Sequence, residues 1–287
     1  MSSDSQTVKD MLATSSRRLS ESTLQDPTLD AEWIMAHVLQ VSRLRLGFLS
    51  DREISSSESK AISTMLDRRI SREPLQYVLG SVTFANLDLK VDSRALIPRP
   101  ETEQFLEIIT ESIKEPPSRI IDLGTGSGAL ALSLAQSFPK AEVLAVDRCE
   151  SALSLAQENM ERNGLTNRIQ LLQGDWFADL EGTFDLIVSN PPYLDETEWF
   201  ACEPEIRDFE PRQALVADSP SDSSGDLKQI LVAATSRIRP RGTLALETGE
   251  GHHKALSELA NSQGFARCRG FSDLRGLPRF FFAWAPD

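Results

Sequence analysis

The sequence predicts an α/β protein: a doubly wound, mostly parallel sheet of seven strands over residues 101–287. A small helical domain (1–75) precedes it, and a β-hairpin linker (76–100) joins the two. Three observations carry this expectation. From about residue 118, short apolar runs of strand length alternate with helical patterns, the signature of a parallel sheet covered on both faces. A glycine-rich turn, DLGTGSGA (122–129), follows the first of those runs. The opening residues show helical periodicity instead.

In the helical domain, DAEWIMAHVLQVSRLRLGFL (30–49) puts Trp33, Ile34, Val38 and Leu39 on one face, with Asp30 placed as the cap. A serine-rich break, ISSSES (54–59), precedes a second helix, KAISTMLDRRISRE, which must stop before Pro74. These helices carry few chemical groups, so they suit recognition or support. His37 on the first of them is read as a packing or surface residue. LQYVLGSVTFANLDLKV then alternates apolar residues around Gly80 and Asn86, which suits a β-hairpin. It leads into ALIPRPETEQFLEIIT, where Pro98 and Pro100 enter a helix bearing Glu101 and Glu103 in its first turn.

The sheet follows in order. RIIDL (119–123) is a strand, GALALSLAQSF a helix, AEVLAVD (141–147) a strand, and SALSLAQENMERNG a helix ending at Gly164. RIQLLQG (168–174) and FDLIVSN (184–190) are the third and fourth strands. A helix near 226–238, the strand GTLALET (242–248) and a helix near 252–263 come next. FARCRGF and PRFFFAW close the sheet, with an antiparallel strand expected at its end.

Composition narrows the function. Of 287 residues, 40% are hydrophobic and 25% charged, which is ordinary for a globular protein. No run approaches the roughly 18 apolar residues of a membrane span, and MSSDSQTVKD lacks the features of a secretory signal. Cys149, Cys202 and Cys268 have no CxxC spacing and read as reduced thiols, placing the protein in the cytoplasm. The net charge of −13 disfavours a stable nucleic-acid partner, because phosphate binding is driven by Lys and Arg. His252 and His253 have no ligand partners nearby in sequence, so no metal is expected, and nothing in the sequence demands more than a monomer.

Chemistry enters at the strand ends. Gly124, Thr125, Gly126, Ser127 and Gly128 permit positive φ and let a ligand approach the backbone ahead of a helix with free N–H groups. Asp147 ends the second strand about 20 residues on, where a carboxylate can accept both hydroxyls of a ribose. NAD and S-adenosylmethionine each carry that ribose, and the spacing does not choose between them. Asp175 could receive an adenine amino group, and Trp176 offers a flat wall for the base.

The stretch SNPPY (189–193) chooses. Asn190 stands at the tip of the fourth strand, beside the first, facing the ligand crevice. Its side-chain oxygen and the carbonyl of Pro191 are two acceptors able to hold both hydrogens of a planar –NH2 group. Pro191 and Pro192 keep those acceptors rigid, and Tyr193 can pack on a flat substrate group. Such a clamp orients a delocalised nitrogen towards an electrophile and favours the positive charge that grows on it. Hydride transfer has no use for this; methyl transfer does.

With DLGTGSG, AVD, GDW and SNPPY in this order, together with EPLQYVLGSVTF, LIPRPETE and FEPRQALVA, the chain resembles the class I S-adenosylmethionine-dependent methyltransferases. More narrowly it resembles the release-factor glutamine methyltransferases, the PrmC/HemK family. Matching features run from about residue 29 to the C-terminus. The resemblance implies a Rossmann-like methyltransferase sheet, S-adenosylmethionine as donor and S-adenosylhomocysteine as product. The implied acceptor is the side-chain amide of the glutamine in the Gly-Gly-Gln motif of peptide-chain release factors. Gly124 to Gly128, Asp147, Trp176 and Asn190 would then contact the donor, and Asn190, Pro191, Pro192 and Tyr193 the glutamine. NPPY is shared with DNA adenine methyltransferases, so an adenine-N6 nucleic-acid methyltransferase is the alternative.

Overall fold

A computed structural model describes residues 6–178, 180–219 and 222–287. Two compact units emerge. One comprises the residues up to Gly80 together with Pro204–Phe209; the other comprises Ser81–Glu203 and Glu210–Asp287.

The first unit is helical: α1 (Val8–Ser20), α2 (Pro27–Val38), a 3-10 turn over Arg43–Leu49, α3 (Ser56–Ile70) and α4 (Leu75–Leu79). Thr7 and Asp10 form a capping box on α1, and Ser55 and Glu58 form one on α3. The serine-rich stretch is therefore the start of a helix rather than a break between helices. Asp26, ahead of Pro27, caps α2. Asp30, expected as that cap, lies inside the helix and pairs with Arg69 Nε at 2.7 Å. The helix expected to continue to residue 49 ends at Val38, because Gln40 takes φ 53° and turns the chain. On the face expected to be apolar, Ile34 is fully buried, but Trp33 is exposed beneath the Arg43 guanidinium.

The alternating stretch at 75–79 is also helical. Gly80 ends it at φ 75° in the left-handed region, so the hairpin is narrower than expected: β1 (Ser81–Phe84) against β2 (Leu87–Lys90). After it comes α5 (Pro100–Ser112).

The main sheet is built from β3 (Arg119–Leu123), β4 (Glu142–Asp147), β5 (Ile169–Gln173), β6 (Phe184–Ser189), β7 (Ile238–Glu247), β8 (Arg267–Ser272) and β9 (Pro278–Trp284). Its spatial order is β5-β4-β3-β6-β7-β9-β8. The first five strands of that row are parallel; β9 runs antiparallel between β7 and β8. The seven-stranded, mostly parallel sheet is as expected, with the antiparallel strand set one place in from the edge. Between the strands lie α6 (Ala129–Ser137), α7 (Glu150–Arg162), the short α8 (Glu196–Phe200), α9 (Pro204–Arg207), α10 (Gly225–Ala234) and α11 (His253–Ser262). Of these, α9 falls in the helical unit.

Both sheet faces are covered, which is why β9 reads FFFAW without alternation. Phe280 and Phe282 enter one core with Phe105 of α5; Phe281 and Ala283 enter the other with Leu227 and Leu256. Phe105 stacks on Phe280 at 5.3 Å and meets the edge of Phe282 at 5.9 Å. Thr102, Phe105, Leu106 and Ile109 share the buried face of α5. The aromatic contacts therefore also fix where Thr102 points.

Candidate active site

The carboxyl ends of β3, β4 and β6 open into one crevice, at the point where the chain reverses direction across the sheet. Gly124, Thr125, Gly126, Ser127, Asp147, Asp175, Trp176, Asn190 and Pro192 all line it. Pro191 is buried and is not among the lining residues. Gly128 and Tyr193, also expected at the site, stand outside the lining: Gly128 begins α6, and Tyr193 packs against the second core.

The glycine turn is held from below. The N–H groups of Gly124 and Thr125 both donate to Val146 O, at 2.8 and 2.9 Å, tying the turn to β4. Gly124 has φ 72°, and a Cβ there would meet the Trp176 ring at 3.3 Å. Gly128 has φ 86°, and a Cβ would strike Leu132 Cδ1 at 2.6 Å. One glycine lets the indole approach; the other lets α6 pack on α7.

Asp147 accepts Gly126 N–H at 2.8 Å on one oxygen and Cys149 N–H at 2.9 Å on the other. Each carboxylate oxygen retains a lone pair for a further donor. Burial raises the Asp147 carboxyl above its usual range, against those two backbone bonds. Trp176 is strained at φ 49°. Asp175, beside it, is exposed.

Asn190 follows directly on β6. Ser189, fully buried, donates its hydroxyl to Leu123 O at 2.7 Å and so fixes the strand end against β3. The Asn190 Nδ2 faces Thr102 Oγ1 at 3.4 Å. On the far side of the prolines, Tyr193 OH lies 3.5 Å from Glu247 Oε1 and 3.4 Å from Arg279 Nη1. Leu194 then pairs with Val216, closing the loop.

Sequence reasoning missed five residues here. Asp122 lines the crevice at 1% exposure; its Oδ2 accepts the Thr125 hydroxyl at 2.7 Å, while its buried Oδ1 makes no full hydrogen bond among the described residues. Burial pushes its carboxyl up to about 7. Glu247, at the end of β7, is 2% exposed and accepts the Thr102 hydroxyl at 2.8 Å. Arg99 pairs with buried Glu210, which also accepts Ile97 N–H at 3.0 Å. The signal was present: Arg99 and Thr102 lie in LIPRPETE, Glu210 in FEPRQALVA, and Asp122 and Glu247 end strands as Asp147 does.

Residues 10–80 match the PrmC N-terminal domain family, and residues 101–202 match the Methyltransferase small domain family. The release factor glutamine methyltransferase of Nitratidesulfovibrio vulgaris (strain Hildenborough) is 36% identical over 282 residues, 96% of this chain and 95% of that one. That of Geobacter sulfurreducens is 36% identical over 276 residues, 95% of each. The chain belongs to the release factor glutamine methyltransferase family. It is thus an S-adenosylmethionine-dependent methyltransferase, as the motif order led us to expect. The fold alone is shared more widely: the hMettl16 catalytic domain, solved with a 3′UTR hairpin, is 18% identical with a TM-score of 0.58, over 83% of this chain and 85% of that one.

Proposed function

We propose that this enzyme transfers a methyl group from S-adenosylmethionine to the N5 amide nitrogen of the glutamine in the Gly-Gly-Gln motif of a peptide-chain release factor. The carrying observation is the placement of Asn190 in the same crevice as the glycine turn and Asp147. An exocyclic adenine amine would suit the same two acceptors, and the relatives named above favour glutamine. We put the reaction, as a step modulating translation termination, in the cytoplasm, with the enzyme acting as a monomer.

The residues suit the donor. Asp147 offers its remaining lone pairs to the two ribose hydroxyls, Trp176, whose ring stands close to Gly124, serves as a wall for the adenine, and Asp175 meets the adenine amino group. Gly124 to Gly128 bring backbone close to the rest of the molecule. The buried Asp122 carboxyl, whose Oδ1 makes no full hydrogen bond among the described residues, is suited to a cationic or hydrogen-bonding group deep in the crevice. When bound, S-adenosylmethionine supplies an electrophilic methyl whose electron pair stays on sulfur as the amide nitrogen bonds to the carbon and sheds a proton to water.

Asn190 and the Pro191 carbonyl hold the two amide hydrogens, so the nitrogen lone pair points at the crevice. The same acceptors favour the charge that develops on nitrogen, without prior deprotonation. Pro192 lines the approach, and Tyr193 braces the loop from behind. Labelled donor, a purified release factor and mass mapping of the modified residue test the whole reading; a label on any residue other than the Gly-Gly-Gln glutamine overturns it.

Two predictions arise here. Asp147→Ala removes a contact to ribose worth about 1.5–3 kcal/mol, so calorimetry should show donor affinity lowered about tenfold or more with the fold intact. Unchanged affinity removes Asp147 from the site. The helical unit we assign to holding the protein substrate. Leu44 and Phe48 are 83% and 90% exposed on one turn of it, a placement that suits contact with a partner. Leu44→Ser with Phe48→Ser should raise KM for intact release factor several-fold while leaving kcat and donor binding alone; an unchanged KM denies the turn that role.

A further inference from the structure

We propose that Thr102 and Glu247 are positioning residues that decide which end of the Asn190 side-chain amide faces the substrate. The inference rests on the clamp reading of Asn190 above and adds the device that makes the clamp work.

An asparagine amide is two-sided. Turned one way it presents an oxygen that can accept a substrate N–H; turned the other way it presents an –NH2 group that repels one. At the crevice the difference is between gripping an amide and rejecting it. Something must hold the correct face outward, and rotation about the last side-chain bond is otherwise soft.

The hydrogen-bond polarity supplies the answer. Glu247, as a carboxylate, can only accept, so the Thr102 hydroxyl, 2.8 Å away, must donate its single proton to it. Thr102 Oγ1 is then left with lone pairs alone. Asn190, whose nitrogen stands 3.4 Å from that oxygen, must offer its –NH2 group to it. The Asn190 oxygen is thereby turned to the other side, the side the substrate amide needs. The direction of each bond follows from the one before, and it starts from a single buried charge.

Glu247 also reaches the other end of the stretch. Its second oxygen faces Tyr193 OH at 3.5 Å, and Arg279 Nη1 faces the same hydroxyl at 3.4 Å. One carboxylate thus meets Tyr193, after the two prolines, directly and Asn190, before them, through Thr102. The charged and titratable groups that face it are Arg279 from β9, Tyr193 from the loop after β6 and Glu101 from α5. Thr102 itself is 5% exposed, locked by the Phe105 stack on the next turn of its helix.

The arrangement has a pH consequence. Burial is the largest influence on Glu247 and raises its carboxyl to about 7, with Glu101 adding to the rise and Thr102, Arg279 and Tyr193 opposing it. When the carboxyl takes up a proton it becomes a donor, and Thr102 is freed to give its own proton to Asn190. The amide then turns its –NH2 group to the crevice. Activity should therefore fall as pH drops through about 7; Asp122 titrates in the same range at the donor end of the crevice, so donor affinity is read separately at each pH.

The test compares Thr102→Val, Thr102→Ser, Glu247→Gln, Asn190→Ala and the Thr102→Val/Asn190→Ala pair. Single-turnover methylation of a purified release factor is followed across pH, with donor binding by calorimetry. The Asn190 side-chain –NH2 signal is followed by 15N NMR and assigned by its loss in Asn190→Ala. We expect Thr102→Val to slow turnover about tenfold or more, the scale of a misaligned reacting group, and Thr102→Ser to restore most of it. The double variant should be no slower than Asn190→Ala, because the two act as one unit. The –NH2 signal should move with pH in the wild type, stay still in Glu247→Gln, and shift in Thr102→Val. Thr102→Val at the wild-type rate beside a crippled Asn190→Ala overturns this inference and spares the clamp. A pH response of the –NH2 signal that persists in Glu247→Gln overturns the role of Glu247. Asn190→Ala at the wild-type rate sinks the clamp, and this inference with it.

Discussion

Asn190→Ala should lower single-turnover methylation of a release factor by about 10²–10³, the loss measured when one preorganised polar group is taken from a transition state. The residue stands at the tip of β6, between a strand end pinned by the Ser189 bond to Leu123 and two prolines, so its backbone has little room to compensate. The loss should fall on the rate of the chemical step. Donor affinity, set largely by the glycine turn and Asp147, should change little, and calorimetry checks that separately. Asn190→Asp probes a different requirement. It keeps an acceptor for the substrate but loses the N–H group that meets Thr102 Oγ1, and it adds a negative charge near buried Glu247. Its rate should therefore stay well below that of the wild type, although an acceptor is still present. An alanine variant that turns over at the wild-type rate would mean that SNPPY does not grip the amide.

How much of this could be read from the residues depends on the kind of signal each one leaves. The sheet was legible because its strands are buried on both faces, so Ile120, Ile121, Ile187, Leu244 and Phe280–Phe282 form apolar runs of strand length that alternate with helical patterns. The crevice was legible because a glycine turn, an acid at a strand end and Asn-Pro-Pro are local strings. The helical unit was less so. Asp30 looks like a cap by its neighbours, yet it is claimed by Arg69 from a helix far along the chain, and Gln40 gives no local warning that the helix has ended. The segment 75–79 alternates like a strand but is too short to satisfy both periods, and Gly80 in the left-handed region settles it as a helix end. Thr102, Glu210 and Glu247 lie in local strings that single out stretches of chain but not which residues meet, for the same reason. Each is an ordinary residue whose meaning lies in a partner more than 100 positions away.

Arg69 is the clearest case of such a long-range claim, and it should be the most costly single loss in the helical unit. Its side chain is 9% exposed and donates to Asp30 at 2.7 Å, to Glu205 at 3.0 Å and to the Glu73 carbonyl at 3.1 Å. Glu205 comes from Pro204–Phe209, six residues that belong to this unit although they lie between stretches of the other, and Arg72 Nε holds it as well at 3.0 Å. Removing one member of a buried pair leaves the other charge desolvated and unpaired, which costs about 3–5 kcal/mol. Arg69→Met, which keeps much of the apolar stem, should therefore lower the stability of the helical unit by about that amount in denaturant unfolding. The origin of the loss can be separated from lost packing by removing the stranded charge as well. Arg69→Met with Asp30→Leu replaces the pair by apolar groups, and such replacements are often neutral or better. The double variant should accordingly be more stable than Arg69→Met alone, because Arg72 still answers Glu205. If the double variant is instead worse by the sum of two independent losses, the cost lies in packing around the two side chains and not in the uncompensated carboxylate.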